Sequence, residues 1–243
     1  MTTLFCNLKS EMPKLTGTAK STYVQGMFDR IAHRYDLMNT LMTLGQHQAV
    51  RISAAKLAQP PHNGLALDLA TGTGDFAAAL RTIEPTCRVV GVDFALEMMR
   101  FGHEKYSQDV FFSGGDMLQL PFADNLFDCS VNGYVLRNVS DVRAAFAEMY
   151  RVLKPGGRAI SLEITSPRAP IWKTVFGVYF DHVMPRIGGM LSGQPDAYKY
   201  LPQSVRDFYA PEIVVDLMRQ VSFRDVFFQF KMLGTMAVYV GVK

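Results

Sequence analysis

Residues 65–75 read Leu65-Ala66-Leu67-Asp68-Leu69-Ala70-Thr71-Gly72-Thr73-Gly74-Asp75. The apolar run from Leu65 to Ala70, broken only by Asp68, has the pattern of a strand buried on both faces, as in a parallel sheet. Thr71 to Gly74 follows as a turn whose glycines admit positive φ and let a ligand approach the backbone closely. From Asp75 to Arg81 the chain can continue as a helix. A strand, a glycine turn and a helix N-terminus make a nucleotide-type binding site. Gly72, Gly74 and Ala77 also satisfy the G-x-G-x-x-A pattern of dinucleotide-binding domains, so the turn alone leaves the ligand open and a purely structural turn in play. Arg88 to Val92 is a second apolar run. Asp93 at its end, 25 residues after Asp68, is placed to accept both ribose hydroxyls.

Outward from this unit, strands and helices alternate. The pattern predicts strands at 65–70, 87–92, 109–114, 126–132 and 157–164, and helices at 75–83, 95–105 and 140–152. Such alternation implies an α/β fold with a parallel sheet and helices on both faces. Ser140 or Asp141 caps the last of these helices, and Lys154-Pro155-Gly156-Gly157 ends it. A helix is expected over 211–220. The runs 226–230 and 235–242 read as a closing hairpin, which gives the sheet a mixed edge. Ahead of residue 65, residues 1 to 20 read as a loose arm. Val24, Phe28, Ile31 and Tyr35 set one face of a helix over 22–35, and another helix is expected from about 46 to 58. These two helices serve either as packing on the sheet or as a lid over the glycine turn, with Tyr35 and Asp36 toward the ligand. Residues 170 to 191 are aromatic and apolar with charges interspersed, a lid, a membrane-surface element or a packing helix.

A chain of 243 residues, 49% hydrophobic and 19% charged, is long enough for one large domain with a full core. A net charge of +3 with no dense basic run argues against nucleic acid as a partner. Cys6, Cys87 and Cys129 form neither a disulfide framework nor a metal pair, which suits a reducing cytosol. The five histidines have no metal-ligand spacing, so no metal is expected. A short apolar patch at Leu4 to Cys6 falls short of a signal-peptide core, and no apolar stretch of spanning length occurs.

In an open parallel sheet the chemistry sits beyond the carboxyl ends of the strands. The candidates there are Thr71 to Asp75, Asp93, Gly115 to Met117, Asn132 to Asn138, and Glu163 to Ser166. Asp116 and Met117 suit an adenine amine and ring face, against the alternative of a turn aspartate. Arg137 and Asn138 stand between apolar neighbours. Either they are polar groups beside a reacting centre, or Arg137 reaches solvent and Asn138 caps a helix. His182 is a candidate base, though a histidine among aromatics more often packs.

Four segments carry a resemblance: Met27 to Asn39, Leu67 to Asp75, Val135 to Asp141 with Tyr150 to Gly157, and His182 to Gly188 with Tyr198 to Leu201. Together they make the chain resemble a Class I S-adenosylmethionine-dependent methyltransferase, and more closely the ubiquinone/menaquinone biosynthesis C-methyltransferase family. The resemblance implies a Rossmann-like, mostly parallel seven-stranded sheet closed by an antiparallel hairpin. It implies S-adenosylmethionine as cofactor, held by Tyr35, Asp68, Thr71, Gly72, Thr73, Gly74, Asp93, Phe94, Asp116, Met117 and Gly133. It also implies a reduced polyprenyl quinone as acceptor, with Arg137 and Asn138 catalytic and Tyr134, His182 and Tyr198 toward the substrate. One methyltransferase domain then covers 1–243, with a helical arm and lid at 1–62 and a cofactor core at 63–165. A helical substrate lid at 166–210 and a closing helix and hairpin at 211–243 complete it. A cytoplasmic place with peripheral contact at the inner membrane face follows from such an acceptor, and a homodimer is left open. The chain departs from the family's pattern at Gly133, where serine is usual, at Tyr134-Val135, where Phe-Gly is usual, and in lacking a C-terminal histidine. Those departures keep alive a relative acting on a soluble metabolite at oxygen, nitrogen or carbon. A nicotinamide-dependent oxidoreductase and a non-catalytic cofactor-binding partner are the remaining readings.

Overall fold

The computed structural model describes residues 17–243. The Leu4 to Cys6 patch and most of the expected arm lie outside the described residues. Strand β1 (Leu65–Leu69) has β2 (Arg88–Asp93) and then β3 (Val110–Gly114) on one side, and β4 (Phe127–Gly133) and then β5 (Leu153–Ile164) on the other, all parallel. The hairpin β6 (Arg224–Lys231) and β7 (Met236–Val242) completes a seven-stranded sheet of order β3-β2-β1-β4-β5-β7-β6. β7 runs antiparallel between β5 and β6. The expected mixed edge is present, with the last strand inserted inside it. β7 is buried along nearly its whole length, whereas β6 alternates toward exposure as an edge strand does.

Ten helices surround this sheet among the described residues: α1 (Gly17–Ile31), α2 (Tyr35–Met42), α3 (His47–Ala58), α4 (Asp75–Ile83), α5 (Leu96–Tyr106), α6 (Val142–Val152), α7 (Pro170–Val178), α8 (Met184–Ser192), α9 (Pro195–Arg206) and α10 (Pro211–Gln220). Side chains alternate across β1. Ala66 joins one core with Ala54 and Ala58 of α3 and Phe76 and Leu80 of α4. Leu67 and Leu69 join a second core with Phe146 and Met149 of α6 and Val214 and Met218 of α10. Each fully buried leucine contributes about 1.5–3 kcal/mol by leaving water. Asp141 caps α6, accepting the Ala144 N–H at 2.9 Å, so Asn138 is free of that duty.

Two elements differ from the sequence reading. The helix expected over 22–35 ends at Ile31. A single 3-10 turn at Ala32–Arg34 then hands the chain to α2, so Tyr35 opens a new helix. No proline or glycine marks this break. Residues 170–191 form α7 and α8, joined by a wide π-helical turn at Tyr179–Val183. α9 falls within the helical stretch expected over 166–210, despite Pro202 in its interior. Its four-residue spacing of buried Ala197 and Leu201, with Tyr198 and Pro202 beside them, nonetheless closes over the core.

Candidate active site

The turn after β1 is held from within. Gly72 and Gly74 take φ of +56° and +79°, the left-handed region that glycine occupies without strain. Asp68 is buried, and its Oδ2 accepts the Thr71 hydroxyl at 2.7 Å and the Ala77 N–H at 3.0 Å. Asp68 thus ties the strand end to the first turn of α4, and burial pushes its carboxyl up to about 7. Asp93 closes the turn from the next strand. Its Oδ2 accepts the Gly72 N–H and its Oδ1 the Ala95 N–H, each at 2.8 Å. Burial raises its carboxyl to about 6 against the pull of those N–H groups. Each carboxylate oxygen can accept more than one donor, so lone pairs remain for a ligand.

Above this turn lies a cavity. Ala70, Gly72, Asp93, Phe94, Asp116, Met117 and Gly133 line it, with Tyr35, Tyr134 and Asn138 along one wall. A carboxylate after β2, a second one at Asp116 and the apolar faces of Phe94, Met117 and Leu118 are what a nucleoside needs. Thr71, Thr73 and Gly74 do not line this cavity. They shape the turn beneath it, and a Cβ on Gly74 would sit 3.0 Å from Phe112. Two lining residues other than glycine, Ala70 and Tyr134, hold φ of +51° and +61° at the ends of neighbouring strands β1 and β4. Left-handed backbone costs such residues about 1–2 kcal/mol each.

A second cavity adjoins the first and shares Phe28, Tyr35, Tyr134 and Asn138 with it. Its wall is mostly apolar, with Met27, Ile31, Met38, Phe176, Phe180 and Leu201 among its residues. Arg137 enters it from the loop between β4 and α6. The Arg137 side chain is 7% exposed, and its Nη1 lies 2.5 Å from Oε1 of the fully buried Glu163. The same Nη1 donates to the Tyr134 carbonyl at 2.6 Å. The Asn138 amide donates to that carbonyl at 3.2 Å, and its oxygen accepts the Tyr200 hydroxyl at 3.1 Å. Arg137 therefore does not reach solvent, and Asn138 is held on both sides. The Tyr134 ring lies under the Arg51 guanidinium, 5.2 Å from ring centre to charge, and its hydroxyl meets the Met236 sulfur at 3.4 Å. Burial pushes this phenol up to about 12.

A charge network locks the first helices onto this floor. Asp36 of α2 accepts the Thr73 hydroxyl at 3.0 Å and the Lys105 ammonium at 2.9 Å. Lys105 also lies 2.8 Å from Asp75, which Arg51 and His47 approach at 3.9 and 3.8 Å. Burial alone would raise the Asp75 carboxyl, but the Arg51 charge and the Lys105 contact outweigh it and leave the group below its ordinary value. Asp36 thus faces the turn as a clamp and not the ligand. Sequence reasoning missed Arg51, Lys105 and Tyr200. Their partners lie far along the chain, and no local motif marks them. Tyr198 is buried and lines the second cavity. His182 corrects an expectation. It sits exposed on the π-helical turn and lines neither cavity, because the widened turn directs Tyr179 and Phe180 inward instead. Among the described residues no group of three or more His, Cys, Asp and Glu side chains is placed to hold a metal ion.

The antiparallel strand inserted in a parallel sheet, the glycine turn after β1, the carboxylate after β2 and the adjoining second cavity define a Class I methyltransferase. Demethylmenaquinone methyltransferase of Roseiflexus castenholzii is 44% identical over 225 residues, covering 92% of this chain and 94% of that protein. The ubiquinone/menaquinone biosynthesis C-methyltransferase UbiE of Desulfotalea psychrophila is 42% identical over 226 residues, covering 93% and 92%. Among solved structures, a SAM-dependent methyltransferase of Thermotoga maritima superposes with a TM-score of 0.62 at 21% identity, covering 90% of this chain and 99% of that one, a likeness of fold. The model of the ubiE/COQ5 methyltransferase family matches residues 16–243, and the chain belongs to that family.

Proposed function

We propose that this protein transfers a methyl group from S-adenosylmethionine to a ring carbon of a reduced polyprenyl quinone. One observation carries the reading. A largely apolar cavity with a buried arginine adjoins the cavity above the glycine turn and shares Phe28, Tyr35, Tyr134 and Asn138 with it. Relatives at 36–44% identity bear demethylmenaquinone methyltransferase and UbiE names over nearly their whole length.

In this reading Asp93 holds the ribose, Asp116 and Met117 meet the adenine, and the glycine turn with Gly133 makes room for the amino acid portion. Thr71, Thr73, Gly74 and Asp68 set the backbone that does this. When bound, S-adenosylmethionine supplies an electrophilic sulfonium methyl for an electron-rich ring carbon. The chain's own groups prepare that carbon. Arg137 stabilises phenolate charge on the acceptor, and Glu163 keeps the guanidinium in place. An arginine is a poor base, so the ring proton leaves through a water held by Arg137 and Asn138. The apolar walls keep the reacting charges dry, which favours a step that neutralises them. Residues 17–62 and 166–210 act as the lid of this site. Ile171, Val175, Val178, Ile187 and Met190 leave α7 and α8 with an exposed apolar surface, suited to a bilayer that carries the acceptor. No helix among the described residues is long and apolar enough to cross a membrane.

The test is methyl transfer from labelled S-adenosylmethionine to demethylmenaquinol, a ubiquinol precursor and a tail-less naphthohydroquinone. Label on a ring carbon of a long-tailed quinol is expected. Cofactor binding with no label on any of the three overturns the reading. Co-sedimentation with anionic vesicles, lost on I171D/M190D, checks the membrane surface.

A further inference from the structure

The acceptor cavity has a neighbour on each of two walls. One wall, Phe28, Tyr35, Tyr134 and Asn138, is shared with the cofactor cavity. The other, Ile164, Phe176 and Phe180, is shared with an outer groove that α7 forms with α9 and the start of α10. No described residue lines both the cofactor cavity and the outer groove. A molecule that sets a ring against the first wall and is longer than the cavity has the second wall as its outlet.

Polarity is layered in this groove. Ile164, Pro167, Phe180, Pro202 and Pro211 line it as buried residues, whereas its charged residues, Arg168, Lys173, Asp181, Arg206 and Glu212, are all exposed. Arg168 pairs with Glu212, and Arg206 with Asp181. An apolar floor under a rim of paired charges suits an apolar chain. Phe176 and Phe180 stack with ring centres 4.9 Å apart and planes 19° from parallel, so the partition between cavity and groove is a flat apolar face. Phe180 belongs to the π-helical turn, a rare element that frequently marks functional sites. Next to the partition, Gly177 leaves open space: a Cβ added there meets no atom within 4 Å. Elsewhere on α7, Ile171, Val175 and Val178 are exposed at the spacing of one helix face. One helix thus carries both a wall of the groove and an apolar stripe that faces outward.

We infer that the outer groove is the subsite for the acceptor's prenyl tail. The ring lies in the acceptor cavity, and the tail leaves it past Phe176 and Phe180 and runs along Gly177 toward the exposed stripe of α7. This rests on the acceptor class proposed above. Passage asks the half-buried Phe176 ring to turn aside while the buried Phe180 stays packed. The groove then rewards a tail with affinity, while the ring and the methyl meet at the opposite wall.

The test is initial-rate methylation by the full chain, anaerobic and without vesicles, so that docking to a bilayer plays no part. Its acceptors are a tail-less naphthohydroquinone and the same ring with a tail of three prenyl units. The native KM is expected to be about tenfold lower for the tailed quinol, roughly the gain from withdrawing two methylene groups from water. Gly177 lines neither the acceptor nor the cofactor cavity, so a bulky side chain there acts on the tail. Gly177→Trp is expected to raise the KM of the tailed quinol about tenfold. The KM of the tail-less quinol and both kcat values should stay within about twofold. Should Gly177→Trp fail to fold, Gly177→Leu, a better helix former than glycine, is read in the same way. Equal native KM values, a native-sized ratio in the variant, or an equal rise for both quinols overturns the inference and leaves the proposed function standing. A native protein that methylates neither quinol overturns both.

Discussion

At the residue scale, Arg137 and Glu163 carry the most consequence. The pair is buried on both sides, so removing either partner leaves an uncompensated charge, a loss of about 3–5 kcal/mol. Glu163→Gln is expected to lower stability by that order and to cut turnover, since the guanidinium loses its anchor. Thermal melting and initial rates check both. Arg137→Gln is expected to reduce turnover at least a hundredfold while calorimetry finds cofactor affinity within about twofold of native, because Arg137 does not line the cofactor cavity. Unchanged turnover would refute the role. Ala70 carries a smaller lesson. Its φ of +51° makes Ala70→Gly neutral or stabilising by up to about 1 kcal/mol in denaturant melts, through relief of left-handed strain. Arg137 and Asp93 were legible as residues because Asp93 ends β2 and Arg137 lies in the loop just after β4, both at the sheet's carboxyl edge. That Arg137 is buried against Glu163, 26 residues away in sequence, was not legible.

At the element scale, α2 is the piece that joins the two cavities. One face lines the acceptor cavity, and Asp36 reaches back to Thr73 and Lys105. Both Asp36 and Lys105 are 40% exposed in their side chains, so the pair adds little to global stability. Its effect falls on opening of the helix. Asp36→Asn is expected to speed cofactor release several-fold and to shift the melting temperature little, as read by stopped-flow and calorimetry; equal release rates would show that the clamp does not govern access. High salt should mimic the variant in part. The alternation of strand and helix announced the central elements nearly to the residue, because β1, β2 and α4 each bury a face set by their own period. The break between α1 and α2 had no such announcement. It lets α2 turn a face to a cavity whose other walls run from Met27 of α1 to Met236 of β7.

For the whole molecule, pH separates the buried carboxylates. Asp68 and Asp93 have folded values raised to about 7 and about 6 from an ordinary 3.8. A raised carboxyl binds its proton more tightly when folded, so its stabilising effect is fully present below 3.8 and is lost as pH rises through that window. Compared with Asp68→Asn, the native protein without ligand is therefore expected to lose stability between about pH 4 and pH 7, in urea melts taken across that range. Ligand binding runs the other way. In the proposed function Asp93 accepts the ribose hydroxyls, best as a carboxylate, so affinity for S-adenosylmethionine should weaken as pH falls below about 6, and Asp93→Asn should flatten that dependence. A native profile flat from pH 5 to 8 would exclude Asp93 from the ribose.

Sequence alone determined the sheet, its parallel centre and antiparallel close, the glycine turn and the acidic residues around it. These depend on backbone preference and on periods of two and 3.6 residues, both local properties. Only the tertiary structure decided that Thr73 and Asp68 build the turn while Gly72 and Asp93 line the cavity. It also decided that His182 points away, and that Arg137 is held by the buried Glu163 beside an apolar cavity. Those facts depend on which partners remain after every element has packed. Packing is settled by contacts between residues distant in the chain, which no window of sequence contains.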